Sequence, residues 1–376
     1  MSAHALLSPS SSERWLNCTP SIRLSETLPE IRRASNGLDF AAQGTEAHRL
    51  GEAKLRLAYN QITQEEYDVE YESIKNGIYW SEEFENDVDG YVVYVRSQVG
   101  SGDTILIEQR VDYSMYVPEG HGSADIIILN DHSILVIDLK YGLKYVDATG
   151  NSQLRLYAVG AVLKYQEQYP DIKTVTYTIY QPRANNISSE TVSKAKLIDW
   201  VNTVVKPKAK LAYIGAGEFM AGTWCQYCKA KPMCKTRAEQ VAELAKIDFR
   251  PVQLMTHEAV STLVDKAQGI VTWVSDAQDY LLEEAVNKGK IPKGYKLSTT
   301  VTHRKITDPL LASVILNNKG LLKEDLFEPA KLKSIAQLEK LGSKGQVVTW
   351  LGSLIARPEG QPKLVKDNHS AEKDFS

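Results

Sequence analysis

A chain of 376 residues with 43% hydrophobic and 24% charged side chains has the make-up of a folded protein of about two domains, which excludes wholesale disorder. Its 44 basic and 47 acidic side chains leave a net charge of −3, which excludes a uniformly basic coat, so any nucleic acid must be held by local patches. No apolar run approaches the ~20 residues of a membrane helix, and residues 1–15 (MSAHALLSPSSSERW) carry no signal-peptide core, so a soluble, cytoplasmic protein without membrane contact is expected.

Residues 1–40 read as an irregular leader with a short helix, capped around Ser8 to Ser12 and carrying Trp15, Leu16 and Cys18. Apolar residues at helical spacing predict helices over 41–59, which contains His48, and over 82–99. Strands are predicted at 104–111, 123–129 and 133–140, the last two joined through the polar turn Asn130-Asp131-His132 as a hairpin. Helical spacing returns over 151–169, and a β-rich run over 173–180 ends before Pro182. Helix, three-strand meander, helix, strand is the order of an α/β protein: a mixed sheet with helices packed on it. A long helix is expected over 189–212, then helices over 238–247, 256–287 and 329–341, the last stopped by Gly342. A short β element is expected at 294–307, and the polar segment from Lys366 reads as a frayed tail.

The densest chemistry falls in the meander. Asp138 and Lys140 end an otherwise apolar run (ILVIDLK), and period-two geometry puts both on the face of Ile134 and Val136. Charges at the end of a buried strand must be paired or engaged. Asp125, in Gly122-Ser-Ala-Asp125, comes beside Asp138 through the hairpin. Two neighbouring carboxylates repel unless a cation lies between them, and Mg²⁺ or Mn²⁺ binds through such a pair plus water and phosphate oxygens. Such an ion would lower the pKa of a water, with Lys140 orienting that water or offsetting phosphate charge. A structural Asp–Lys pair at a strand end is the plainer alternative.

Three further features weigh against that alternative. His48, in Gly44-Thr-Glu-Ala-His48, offers a third metal ligand; Gln153 and Tyr157 share a helix face suited to a sugar–phosphate strand; Glu108 is a weaker candidate for an outer carboxylate.

This ordered set, His48, Gly122 to Asp125, Asp138-Leu139-Lys140 and Gln153-x-x-x-Tyr157, resembles the RecB-type branch of the PD-(D/E)XK nuclease superfamily over residues 40–185. The resemblance implies a restriction-endonuclease-like core and metal-dependent hydrolysis of DNA phosphodiesters. It assigns His48, Asp125, Asp138 and the Leu139 carbonyl to the metal, Asp125, Asp138 and Lys140 to catalysis, and Gln153 and Tyr157 to the DNA strand.

The four cysteines are unevenly placed, with Cys225, Cys228 and Cys234 close together and Cys18 far upstream. Too few for a disulfide scaffold, they suit a thiolate-held Zn²⁺ or an iron–sulfur cluster, which spacing alone leaves equal. One cysteine before the core and C-x2-C-x5-C after it resembles the [4Fe–4S] staple of AddB-type and CRISPR-associated RecB-like nucleases. That resemblance divides the chain into a stapled nuclease domain over 1–240, a mainly helical extension over 241–365 and a disordered tail over 366–376. The leader and the extension resemble a phage- and prophage-encoded branch of such nucleases.

Lys229, Lys231, Lys235 and Arg237 interleave with Trp224 and Tyr227, a mixture that suits single-strand contact; Lys206, Lys208 and Lys210 have the same charge. His303, Arg304, Lys305 and Asp308 form a polar group without a motif, and the extension suits a protein partner or self-association. The leading functional expectation is a metal-dependent exonuclease acting on DNA ends or single strands in recombination or replication. A non-catalytic DNA-binding scaffold and a small-phosphoester hydrolase are the alternatives.

Overall fold

In the computed structural model of the chain, residues 5–28, 40–246, 252–293 and 295 are described, all within a unit ending at Leu297. The alternating apolar runs form β1 (Thr104–Asp112), β2 (His121–Leu129) and β3 (Ser133–Leu139), an antiparallel meander. Ahead of them lie α1 (Ser12–Asn17), α2 (Ser21–Glu26), α3 (Phe40–Ala58), α4 (Gln64–Lys75) and α5 (Glu82–Ser97). The chain leaves β3, runs through α6 (Ser152–Tyr165) and returns as β4 (Thr174–Gln181), which pairs parallel to β3. A parallel neighbour requires such a crossover. Antiparallel β5 (Asn186–Ser193) completes a five-stranded mixed sheet of order β1-β2-β3-β4-β5.

β5 corrects the expected helix over 189–212. Its last six residues (SSETVS) are polar except for Val192 and pair with β4 through Thr176–Thr191 and Thr178–Ser189 hydroxyl bonds of 2.8 Å. A half-exposed edge strand carries no apolar alternation for pattern reading to find. The helix starts instead at α7 (Lys194–Trp200), capped by Ser193, and continues as α8 (Lys206–Ile214). A wide turn at Val201–Val205 joins them just ahead of Pro207, whose missing N–H breaks regular helical bonding there.

Two cores cover the two faces of the sheet. On one face Val111, Ala124, Ile127, Ile134 and Val136 pack under α6, with Trp15, Leu197 and Ala209 from the helices around it. On the other, Ile107, Ile126, Ile137 and Leu139 meet Ala47 and Leu50 of α3 and Phe84 and Val88 of α5. Asn151 caps α6 by accepting the Leu154 N–H at 3.2 Å. The remaining helices are α9 (Lys235–Ala245), which spans the expected boundary at 240, and α10 (His257–Lys288), packed on α9. The elements expected at 329–341 and 366–376, the polar group at 303–308 and all but Tyr295 of the β element at 294–307 lie outside the described residues. No described helix is long and apolar enough to cross a membrane.

Gly160 lets α6 lie close on the sheet: a Cβ there would stand 2.7 Å from Val111 Cβ. Gly160→Ala is therefore expected to destabilise the fold by about 1–3 kcal/mol through overpacking, despite its better helix propensity. The urea midpoint measures this, and an unchanged or raised midpoint would contradict the close approach.

Candidate functional site

The alternation of β1 and β2 breaks at one level. Ile105, Ile107, Ile126 and Ile128 share the α3 side, so parity would send Val111 and Ala124 there too, yet both join the core under α6. The break falls at Glu108 in β1 and Asp125 in β2, which stand opposite each other between the pairs Ile107↔Ile126 and Gln109↔Ala124. Glu108 has φ +48°, a left-handed conformation that costs a non-glycine residue about 1–2 kcal/mol. Strain inside a strand, beside a buried carboxylate, is the kind of feature that functional sites retain.

The kink draws three side chains together. One ligand atom each of His48, Glu108 and Asp125 lies within 4.8 Å of the other two. His48 Nδ1 is 3.3 Å from Asp125 Oδ2, and that oxygen also accepts the Leu139 N–H at 2.7 Å. The Asp125 carboxylate raises His48 to about 9, against the opposing effect of burial. Burial and the charge of Asp125 push Glu108 up to about 8. Burial acts against the Asp125 charge too, but His48, the Leu139 N–H and Lys140 outweigh it and hold that carboxyl below its usual range. Glu108, the weaker candidate in the sequence, thus belongs to the trio. Its only sequence signal is a carboxylate inside an apolar strand run (TILIEQRVD).

Asp138 stands beside the trio and is turned toward α6. It is 2% exposed, on the face of Ile134 and Val136 as period-two reading requires. Lys140 Nζ sits 2.9 Å from Asp138 Oδ2 and donates to Gln153 Oε1 at 3.1 Å. Gln153 Nε2 in turn reaches Asp138 Oδ1 and the Tyr157 hydroxyl, both at 3.2 Å. Burial, reinforced by Asp125, raises the Asp138 pKa in spite of Lys140. Burial also works against the Lys140 ammonium, but Asp138 outweighs it and lifts the lysine above its usual value. Tyr157 is a core residue, 7% exposed, that positions Gln153. Gly122 makes room for it: a Cβ there would lie 2.9 Å from Tyr157 Cε1 and 2.7 Å from Pro9 Cγ.

A groove of about 610 Å³ leads away from Lys140 and Gln153 past the first turn of α6 to Tyr227. Lys144, Gln226 and Ser152 on its walls carry no signal in the sequence, because single polar residues outside a periodic run have no pattern. The basic residues of the cysteine segment divide. Arg237 Nη2 lies 2.6 Å from buried Asp276 of α10, which also pairs with Lys231, so these two hold α10 and are committed within the protein. Trp224 is likewise engaged, donating from Nε1 to the Met220 carbonyl. Lys206, Lys208 and Lys210 belong to α8, and none lines the groove.

All four cysteines line one small cavity, which brings Cys18 beside Cys225, Cys228 and Cys234. Sulfur contacts come from the Met220 N–H to Cys18 at 3.5 Å and the Gly222 N–H to Cys225 at 3.4 Å. No three cysteine sulfurs among the described residues lie within 4.8 Å of one another.

Fold and site together define a mixed-sheet α/β protein with a carboxylate–histidine cluster beside an Asp–Lys–Gln network. The chain belongs to the family described as protein of unknown function (DUF2800), whose profile matches residues 4–372. A solved structure titled "Crystal structure of SSO0001" is 12% identical, covers 58% of this chain and 94% of that one, and has a TM-score of 0.24.

Two outcomes follow for the trio. With His48 near 9 and Glu108 near 8, both are protonated at pH 7, so a divalent ion held by these atoms would displace protons. Manganese affinity is expected to rise with pH, by up to about a hundredfold per unit below pH 8 and little above pH 9. Calorimetry in buffers of unlike ionisation heat counts the protons, and proton-free binding would contradict the arrangement. Glu108→Gly, which relieves the left-handed strain, is expected to raise unfolding free energy by roughly 1 kcal/mol while weakening manganese binding at least about tenfold. Loss of stability together with unchanged affinity would refute both roles of Glu108.

Proposed function

We propose that this chain is a metal-dependent DNA nuclease of the PD-(D/E)XK type, a cytoplasmic enzyme acting on free ends or single strands. One observation carries the reading. Residues from α3, β1, β2, β3 and α6, far apart in sequence, meet as a metal-ligand trio joined to an Asp138–Lys140–Gln153 network. A purely structural Asp–Lys pair has no use for the strained Glu108 or for a partly accessible His48.

The donor set suits the ion. Two carboxylates and an imidazole are mixed oxygen and nitrogen ligands, which favour Mn²⁺ over the strictly oxygen-seeking Mg²⁺. A bound divalent cation would supply Lewis acidity toward a phosphate oxygen and the attacking water. The chain's own groups do the rest. Asp138, paired with Lys140, fixes the ammonium at the groove floor, where Nζ can donate to a phosphate oxygen as charge accumulates there. Gln153 bridges Asp138 and Lys140 and is itself held by Tyr157, so the lysine is set before substrate arrives. A groove of about 610 Å³ lined from Lys140 to Tyr227 exceeds what a small phosphoester fills, which favours a polymer.

The iron–sulfur cluster is carried by the resemblance of the cysteine pattern. That Cys18, Cys225, Cys228 and Cys234 line one cavity supports a single ligand shared by all four thiolates.

Asp138→Ala and Lys140→Ala are each expected to abolish Mn²⁺-dependent degradation of end-labelled DNA while circular dichroism stays unchanged. Full activity in both would sink the assignment. Protein purified without oxygen is expected to be brown, and Cys18→Ala to lose iron and sulfide together. Colourless protein with one zinc per chain would overturn the cluster.

A further inference from the structure

The loop between Cys225 and Cys228 consists of Gln226 and Tyr227, and both face the groove that starts at Lys140. Gln226 is tied across it, its Oε1 accepting from Lys144 Nζ at 2.7 Å, while its carbonyl accepts from Lys231 Nζ at 3.2 Å. Thr223, at the start of the same turn, donates to Glu13 at 3.0 Å, and Ser12 meets Ser152 at 2.6 Å. The backbone that carries Tyr227 is therefore held from the leader, from the β3–α6 loop and from the cysteine cavity. The ring it carries is 74% exposed, although burial of a tyrosine ring is favourable. Its phenol lies close enough to Lys140 to influence that ammonium.

A rigidly mounted, exposed aromatic ring beside the lysine of a phosphodiester site has the properties of a stacking platform. We propose that Tyr227 stacks on an unpaired base of the bound strand, so that the cysteine loop forms the substrate-reading wall of the groove. The proposal rests on the nucleic-acid reading of the site and narrows it: a base inside a duplex has both faces covered by its stacked neighbours, so the base that Tyr227 takes belongs to a single strand. The phosphates on either side of that base would run along the Lys140 and Lys144 wall. Trp224 donates to its own backbone, Lys231 and Arg237 are committed to Asp276, and Lys229 and Lys235 do not line the groove, which leaves Tyr227 as the member of the aromatic–basic segment that meets substrate. Tyr227 is then a substrate-positioning residue, joined covalently to the cysteine site.

The test is strand binding without divalent metal, so that no cleavage occurs, read by anisotropy of a fluorescein-labelled oligothymidylate. Tyr227→Phe keeps the ring and is expected to bind within about twofold of the parent, whereas Tyr227→Ala weakens binding about 5- to 150-fold. A series of oligonucleotides, each with one abasic position, supplies the second measurement. One position is expected to cost the parent a similar factor and to cost Tyr227→Ala almost nothing, because the stacked pair is already lost. Equal affinity of the parent and Tyr227→Ala, equal abasic penalties in both proteins, or no binding by the parent would each overturn the proposal. Because binding alone is read, the nuclease assignment fails separately: a protein that binds with this dependence on Tyr227 but never cuts refutes hydrolysis and leaves the stacking intact. Iron content and circular dichroism of Tyr227→Ala, expected unchanged for so exposed a ring, exclude loss of fold as the cause.

Discussion

Two carboxylates, buried Asp138 and the partly buried Asp125, stand on adjacent strands, and the site is arranged around the repulsion between them. An isolated buried charge is costly, and two like charges raise that cost further. The protein answers each differently. Asp125 receives an imidazole from α3 and a backbone N–H from the end of β3, which keep it ionised. Asp138 receives Lys140 and Gln153, and its pKa still rises. The two environments separate acids that the same hairpin brings together, and such a separation is how one site assigns different tasks to like groups.

Much of this arrangement is legible in the sequence because it follows strict periods. Asp138 falls on the face of Ile134 and Val136 by alternation alone, and Gln153 and Tyr157 share a face by helical spacing. What escapes is whatever breaks period. Glu108 reads only as a weaker candidate because its place in the trio comes from a left-handed backbone that reverses the alternation of β1, and glutamate gives no warning of that conformation. β5 escapes because its outward face is solvated and its residues suit a helix terminus as well as an edge strand. The basic residues after Cys228 mislead for another reason. Their partner, Asp276, lies on a helix that packs back from much later in the chain, so their neutralisation is a tertiary fact.

The cysteines of the leader and of the segment after α8 line one cavity, and protein contacts fasten the same two parts of the chain. Thr19 donates to the Ala216 carbonyl and Arg23 Nε to the Tyr213 carbonyl, each at 2.6 Å, so α2 is fastened to the end of α8 just before the cysteine segment. Closing a loop of this length costs entropy that rises only slowly with length, so a few such bonds can hold it shut. Holding it shut positions more than the fold. The leader supplies Ser12 and Glu13 to one wall of the groove, and the cysteine segment supplies Thr223, Gln226 and Tyr227. On the proposed reading, the groove is complete only when both ends of the domain are in place.

That closure changes the meaning of the near-neutral charge. Lys231 and Arg237 are neutralised by Asp276, and Arg155 by Glu190, so part of the basic content is unavailable to an anionic ligand. Lys140 and Lys144 remain on the groove, beside a cluster of acids that would repel phosphate until a cation neutralises it. Few phosphate contacts release few counterions, so electrostatic attraction alone would grip a strand weakly and with a shallow salt dependence. Binding strength must then come from contacts that ignore charge, and the exposed ring of Tyr227 is the group placed to supply them. A nuclease built this way would select unpaired strands because its affinity depends on free base faces, and would engage the scissile phosphate only once metal is present.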